Sequence, residues 1–359
     1  MTSETSLDED GAVAPPGRQR PPGDRVALRG DLRSALPDAT AAVMVTSLVF
    51  ALLWARMESG TSDTVAIMPF MDDAGTYWMY LLSQAFGWSG LLWAWGTVML
   101  GLLLSGPRPA RLPVSRQVLE RWHRTTSLTT MALMFAHALM FSAELVRYET
   151  KVDWAERLWV GFADSFVPGW YDSGTGRIAI PIGQGALYLA IPLGLLFYVR
   201  HRIGANTWRR LHRFVIVVYV LSVWHTLLYG TNVWYGEWPR TVLWLLQLPV
   251  AALLLLRLLR PARRAERLRS PSEGAARPGW WVRAAGRVVA GAVAIGLVIV
   301  VVSGRDGGRD RPTHPPATAP HTPATDRWPP PGVPPALPVG EDRPRQARRP
   351  EKAGANPAR

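Results

Sequence analysis

Seven long runs of the chain contain no charged residue at all: 39–55, 74–107, 125–143, 178–199, 214–236, 241–256 and 288–304. A helix crosses the hydrocarbon core of a bilayer with about 20 mostly apolar residues, and about 17 suffice. In lipid, every backbone N–H and C=O must be satisfied internally, which restricts a spanning chain to helices or a closed barrel. Runs of this length and uniformity predict helices. The expected fold is therefore an all-α integral membrane protein. It comprises a six-helix bundle over 38–260, with the second span near 80–105, and a seventh span at 288–304. A polar, proline-containing stretch at 1–37 is expected to be a disordered leader. Residues 261–287 read as a basic linker with Trp280 and Trp281 at an interface, and 305–359 as a disordered Pro- and Arg-rich tail.

A net charge of +13 might point to nucleic acid, but its distribution does not. Arg108, Arg111, Arg116, Arg121 and Arg124 fill one connector, Arg200, Arg202, Arg209 and Arg210 another, and a third begins with Arg257 and Arg260. The alternate connectors carry Asp63, Asp72, Asp73, Glu149, Asp153, Glu156, Asp164 and Asp172 with few cations. This is the positive-inside pattern, and it places the N-terminus in the cytoplasm. The partners it implies are membrane lipid and no nucleic acid. Nothing in the first 35 residues resembles a cleavable leader. The chain has no cysteine, which excludes disulfides, iron–sulfur ligation and thioether-linked haem. Its Arg, Ala, Gly and Pro content suggests a high-G+C bacterial genome, and the expected location is the bacterial cell membrane.

Four histidines interrupt this apolar background. His123 and His137 belong to one span, and His212 and His225 to another that runs in the same direction one crossing later. Ionisable groups inside membrane helices are costly and mark functional paths. Steps of 14 and 13 residues correspond to roughly 21 and 20 Å along a helix, so the four fall at two matched levels. One histidine from each helix at each level, His123 with His212 and His137 with His225, could hold two metal centres stacked across the membrane. The angular phase is less even. Fourteen residues return to within about 40° of the starting face, whereas thirteen leave a residual of about 140°. Either the 212–225 segment tightens locally, or His212 sits at an irregular helix start after Thr207 and Trp208.

Arg121, Arg124, Arg209, Arg210 and Arg213 surround the inner pair, where they set topology and could also bind acidic groups of a cofactor. Arg147, Tyr148 and Arg177 are weaker counterparts for the outer pair. Phe135 and Tyr219 fall between the levels, lining the gap or merely packing. His201 reads as interfacial, and His314 and His321 lie in the tail. The loop 147–177, with Trp154, Trp159, Phe162, Phe166, Trp170 and Tyr171, is either an ordered cap where an acceptor docks or an aromatic belt. No catalytic acid–base or nucleophile constellation is present.

The segment from Trp208-Arg209-Arg210-Leu211-His212-Arg213 through Tyr219 to Trp224-His225 resembles the ferric reductase-like transmembrane domain family. So does Arg121-Trp122-His123-Arg124 through Ala136-His137. The resemblance spans roughly 80–260. It implies two b-type haems on His123, His137, His212 and His225, and electron transfer from a cytoplasmic or quinol donor to an extracytoplasmic acceptor, either ferric iron or a partner reductase. No glycine-rich dinucleotide fingerprint follows the sixth span. The chain therefore resembles the stand-alone branch, which includes the haem subunit of the periplasmic methionine sulfoxide reductase system. In that case it would be an oxidoreductase component served by a separate flavoprotein or quinol. A non-redox transporter or scaffold, with the histidines lining a polar path, is the alternative; such paths usually add acidic or lysine groups within the spans, and these runs have none.

Overall fold

A computed structural model describes residues 24–106, 113–148, 152–172, 176–233 and 237–259, with six isolated positions between 284 and 295. Six helical segments are long and apolar enough to cross a membrane: Leu36–Glu58, Trp78–Ser105, Arg116–Arg147, Gly176–Leu195, Ala205–Tyr229 and Trp238–Arg257. The chain is a multi-pass, all-α membrane protein. The expected seventh span, the basic linker and the tail lie outside the described residues apart from those isolated positions.

In chain order the helices are α1 (Asp24–Ser34), α2 (Leu36–Glu58), α3 (Asp63–Ile67), α4 (Trp78–Ser105), α5 (Arg116–Tyr148) and α6 (Trp154–Phe166). They continue with α7 (Gly176–Leu195), α8 (Arg200–Ile203), α9 (Ala205–His212), α10 (Val215–Tyr229), α11 (Glu237–Leu245) and α12 (Gln247–Leu259). Local chemistry sets their ends. Pro37 opens α2, where its missing N–H costs nothing. Asp153 caps α6 by accepting from the Glu156 N–H at 3.0 Å. Gly106 closes α4, its N–H donating to the Leu102 carbonyl.

The long helices α4 and α5 pack along each other, and α7 packs against α10. Their shared interior holds Leu91, Val98, Tyr219, Val223 and Leu227 on one side, and Ala186, Ala190, Leu193 and Val218 on the other. The sixth span bends at Leu246, where α11 gives way to α12. Pro249 removes a donor there, and buried polar contacts secure the bend. Trp95 Nε1 donates to the Leu246 carbonyl at 2.9 Å, Tyr219 Oη donates to Gln247 Oε1 at 2.9 Å, and Gln247 Nε2 donates to the Leu243 carbonyl at 2.8 Å.

One expectation is corrected. Part of the 1–37 leader is ordered: α1 is a helix packed on α5. Its polar average hides the group that holds it. Asp31 accepts from Tyr198 Oη at 3.0 Å and pairs with Arg124 at 3.5 Å.

Candidate functional site

The structure brings the four membrane histidines together in two pairs. The rings of His123 and His212 have centroids 5.9 Å apart, with their planes 86° to each other. Those of His137 and His225 are 6.0 Å apart at 73°. The helix carrying the second member of each pair is not continuous. α9 ends at His212, and the chain tightens through Arg213 and Phe214 before α10 begins. Here the Phe214 N–H donates to the Leu211 carbonyl at 3.0 Å and the Val217 N–H to the Phe214 carbonyl at 2.9 Å, both spanning three residues. Bonds that span three residues wind the chain more tightly than the α-helix, in the sense that reduces the residual of the 13-residue step. Local tightening therefore sets both rings on one face.

Each pair is held from behind. His123 Nδ1 donates to the Thr97 carbonyl at 3.0 Å, His137 Nδ1 to the Ser83 carbonyl at 2.8 Å, and His225 Nδ1 to the Ala179 carbonyl at 2.8 Å. A backbone carbonyl only accepts, so in all three rings Nδ1 carries the proton and Nε2 keeps its lone pair. His137 is doubly fixed, because Ser83 Oγ donates to its carbonyl at 3.1 Å. His212 differs. The Leu193 carbonyl lies near its Nδ1, but no bond of proper geometry forms, and the ring stacks on Trp208 at 5.3 Å.

Glycines make room for these rings. A Cβ on Gly87 would stand 3.1 Å from the His137 ring, one on Gly101 3.1 Å from His123, and one on Gly183 2.7 Å from His225. Each glycine lies four residues after the carbonyl that binds the same ring. Ser83 and Gly87 are thus repeated 14 residues later in α4 as Thr97 and Gly101, the spacing of the histidines they support. This matched repeat was visible in the sequence and is the signal that a search for side-chain ligands passes over. At the fourth position, four residues after Leu193, stands Phe197 instead.

Two cavities open between the rings. The one at the Arg-rich end holds about 540 Å³ and is lined by Arg116, Arg124, Arg209, Arg213 and Arg257 beside His123 and His212. Of the arginines singled out from sequence, Arg124, Arg209 and Arg213 reach this lining; Arg121 and Arg210 are exposed and do not. Arg116 and Arg257, passed over as topology signals, do. The cavity at the far end is narrower, about 150 Å³, and surrounds His137 and His225 with Ser83, Gln84, Ser165, Gln184, Thr226 and Tyr229. Arg147 does not line it and is held by Glu144 at 2.9 Å and by the Thr76 carbonyl. Arg177 is exposed, and the Tyr148 side chain lies outside the described residues. Phe135 is 49% exposed and meets Phe166 rather than the gap, and Tyr219, 3% exposed, is engaged with Gln247. Met131 and Met134 instead line the near and far cavities between the levels. His201 is on the exposed side of α8, and His314 and His321 lie outside the described residues.

Residues 89–223 match the model of the family described as ferric reductase like transmembrane component. This part of the chain is similar to ferric reductase-like transmembrane components. Domains of this family move electrons across membranes and generally bind haem. The matched segment takes in most of α4, all of α5 and α7, and His212; His225 falls two residues beyond it. No curated protein and no solved structure matches the chain.

The donor set fits a haem. Two metal–nitrogen bonds of about 2.0–2.1 Å plus two ring radii come to roughly 6 Å, which matches the spacing of both pairs. Among the described residues no group of three or more His, Asp or Glu could hold a metal alone. Two axial nitrogens with a macrocycle supplying the remaining ligands fit this donor set, and a bare ion does not.

Proposed function

We propose that this bundle carries electrons across the membrane through two bis-histidine b-type haems, one on His123 and His212 and the other on His137 and His225. The direction is from a cytoplasmic or quinol donor to an extracytoplasmic acceptor. The observation that carries this reading is the pair of facing imidazoles at each level, with Nε2 left free by a backbone bond at Nδ1 in three of the four rings. Haem iron supplies a one-electron centre at a potential set by its ligands and surroundings.

The residues perform the rest. The carbonyls of Thr97, Ser83 and Ala179 fix ring tautomer and orientation and increase ligand basicity. Arg124, Arg209 and Arg213 offer charge-assisted hydrogen bonds to acidic groups at the near level. Met131 and Met134, with the apolar faces of α7 and α10, exclude water between the levels. With the positive-inside rule, the Arg-rich end is cytoplasmic. The acceptor, ferric iron or a partner reductase, then approaches α6, whose Trp154 and Trp159 are exposed and whose Ser165 lines the far cavity.

The test is a reduced-minus-oxidised spectrum of the purified protein with haem quantification. Two b-type haems per chain are expected, with one lost in either His137→Ala or His225→Ala. A non-redox transporter predicts no haem signal after haem-replete expression, and that outcome overturns the proposal. Unchanged haem content in both variants overturns the pairing.

A further inference from the structure

Two residues lining the far cavity each carry a polar atom that no hydrogen bond in the fold satisfies. Gln184 and Ser165 are each 5% exposed, and Gln184 Oε1 and Ser165 Oγ are both buried without a hydrogen-bond partner. Both residues line the cavity around His137 and His225. A buried polar group left unpaired costs about 1–3 kcal/mol, so two on residues that line one cavity call for an occupant.

The orientation of the amide is not free. Gln184 Nε2 donates to the Ser165 carbonyl at 2.9 Å. A carbonyl only accepts, so the NH₂ group must face it, leaving Oε1 as an acceptor without a donor. Ser165 Oγ, the other unpartnered atom, can donate. The pair thus offers one acceptor and one donor to the same guest. The surroundings constrain the guest's charge: among the described residues lining this cavity there is no Asp, Glu, Lys or Arg. The near cavity, with its five arginines, is the opposite case. An anion placed at the far level would be desolvated with no counter-cation. A neutral carboxylic acid has one O–H donor and one C=O acceptor, the complement of Gln184 Oε1 and Ser165 Oγ–H.

We propose that Gln184 and Ser165 anchor a protonated carboxylic acid in the far cavity, namely an acid side chain of the haem held by His137 and His225. This inference rests on the two-haem reading above. It gives the two levels different chemistry: arginines receive ionised acid groups at the cytoplasmic end, and an amide and a hydroxyl receive a neutral one at the other.

The experiment is redox-difference infrared spectroscopy of the full chain loaded with haem carrying ¹³C in its carboxyl carbons. A label-sensitive C=O band of a protonated carboxyl group is expected in the wild type. Ser165→Ala and Gln184→Leu should each shift that band and weaken retention of one of the two haems by about five- to tenfold. Ser165→Ala deletes a single oxygen, and thermal melting of the haem-free variants reports on folding separately. Absence of a label-sensitive protonated band, or a band that neither variant moves, overturns the proposal; water then fills the position. A chain that takes up no haem overturns the electron-transfer reading as well, whereas two haems without this band overturn the anchor alone.

Discussion

Adding one methyl group at each of several glycines should produce effects that follow the structure's clearances rather than helix propensity. In a helix interior Gly→Ala is worth up to about 1 kcal/mol in favour of alanine. At Gly96 nothing lies within 4 Å of the added Cβ, so this gain should be realised in full. At Gly194 the Cβ would stand 2.8 Å from Met131 Sδ, but that atom is near the end of a flexible side chain and can move, leaving the change close to neutral. Gly183 is different. Its Cβ would meet Nδ1, Cε1 and Cγ of His225 at 2.7, 2.9 and 3.1 Å, and that ring is pinned by the Ala179 carbonyl at 2.8 Å. Overpacking of this kind costs about 1–3 kcal/mol. After subtracting about 1 kcal/mol of propensity, a net loss of up to about 2 kcal/mol remains. Because the strain falls on a proposed ligand in the narrower cavity, it should appear as weaker retention of one haem by about tenfold. The assay is haem titration of Gly96→Ala, Gly194→Ala and Gly183→Ala, with thermal melting alongside. A Gly183→Ala protein as stable as Gly96→Ala and with full haem content would refute the reasoning, since the ring would then be free to move.

Two further predictions concern the ends of the bundle. Burial pushes the Tyr198 phenol well above its usual range, and Asp31 beside it adds to the shift. A raised folded value favours the neutral form, so the stability it provides is complete below about pH 10 and is lost as pH rises further. Ultraviolet titration of wild type and Tyr198→Phe should differ by one late-titrating phenol, and that phenol should titrate earlier when α1 is deleted. At the bend of the sixth span, Gln247→Leu would strand the Tyr219 hydroxyl and the Leu243 carbonyl, and should cost about 1–3 kcal/mol of stability per buried group left unpaired. A melting temperature equal to wild type would show that Tyr219 finds another acceptor.

Much of the fold was legible because lipid imposes a simple rule. Each of the six segments read as spans between 38 and 260 coincides with a membrane-length helix, since an uncharged run of that length has no other way to satisfy its backbone. Segment α1 was not legible. It is held by one carboxylate on two partners, Arg124 and Tyr198, distant in sequence, and such a tie leaves no periodic trace. At the candidate site, residue type revealed the histidines, because they are expensive where they stand. It did not reveal their supports. The acceptors at Thr97, Ser83 and Ala179 are main-chain carbonyls, so any side chain could have occupied those positions. The arginines' places were less legible for a similar reason: charge counts place a residue at an interface but not on a cavity wall, and Arg121 and Arg210 are exposed outside that lining.

The thirteen-residue step shows how the two kinds of information combine. Considered alone, the spacing between His212 and His225 was incompatible with an ideal helix, and the sequence contained no proline or glycine between them to locate a break. The structure absorbs the mismatch by overwinding at Arg213 and Phe214, at the boundary between α9 and α10. That solution has a consequence for His212. As the last residue of α9, it is the one ring of the four without a backbone bond of proper geometry at Nδ1, and Phe197 rather than a glycine stands where the repeat would put one. Its orientation depends on the stack with Trp208 instead. An aromatic stack is worth about 0.5–1.5 kcal/mol and permits sliding, whereas a hydrogen bond to a fixed carbonyl does not. The near level, with its wider cavity and one ring held only by stacking, is therefore the more adaptable of the two, and the far level, with three backbone and side-chain bonds on its two histidines, the more rigid.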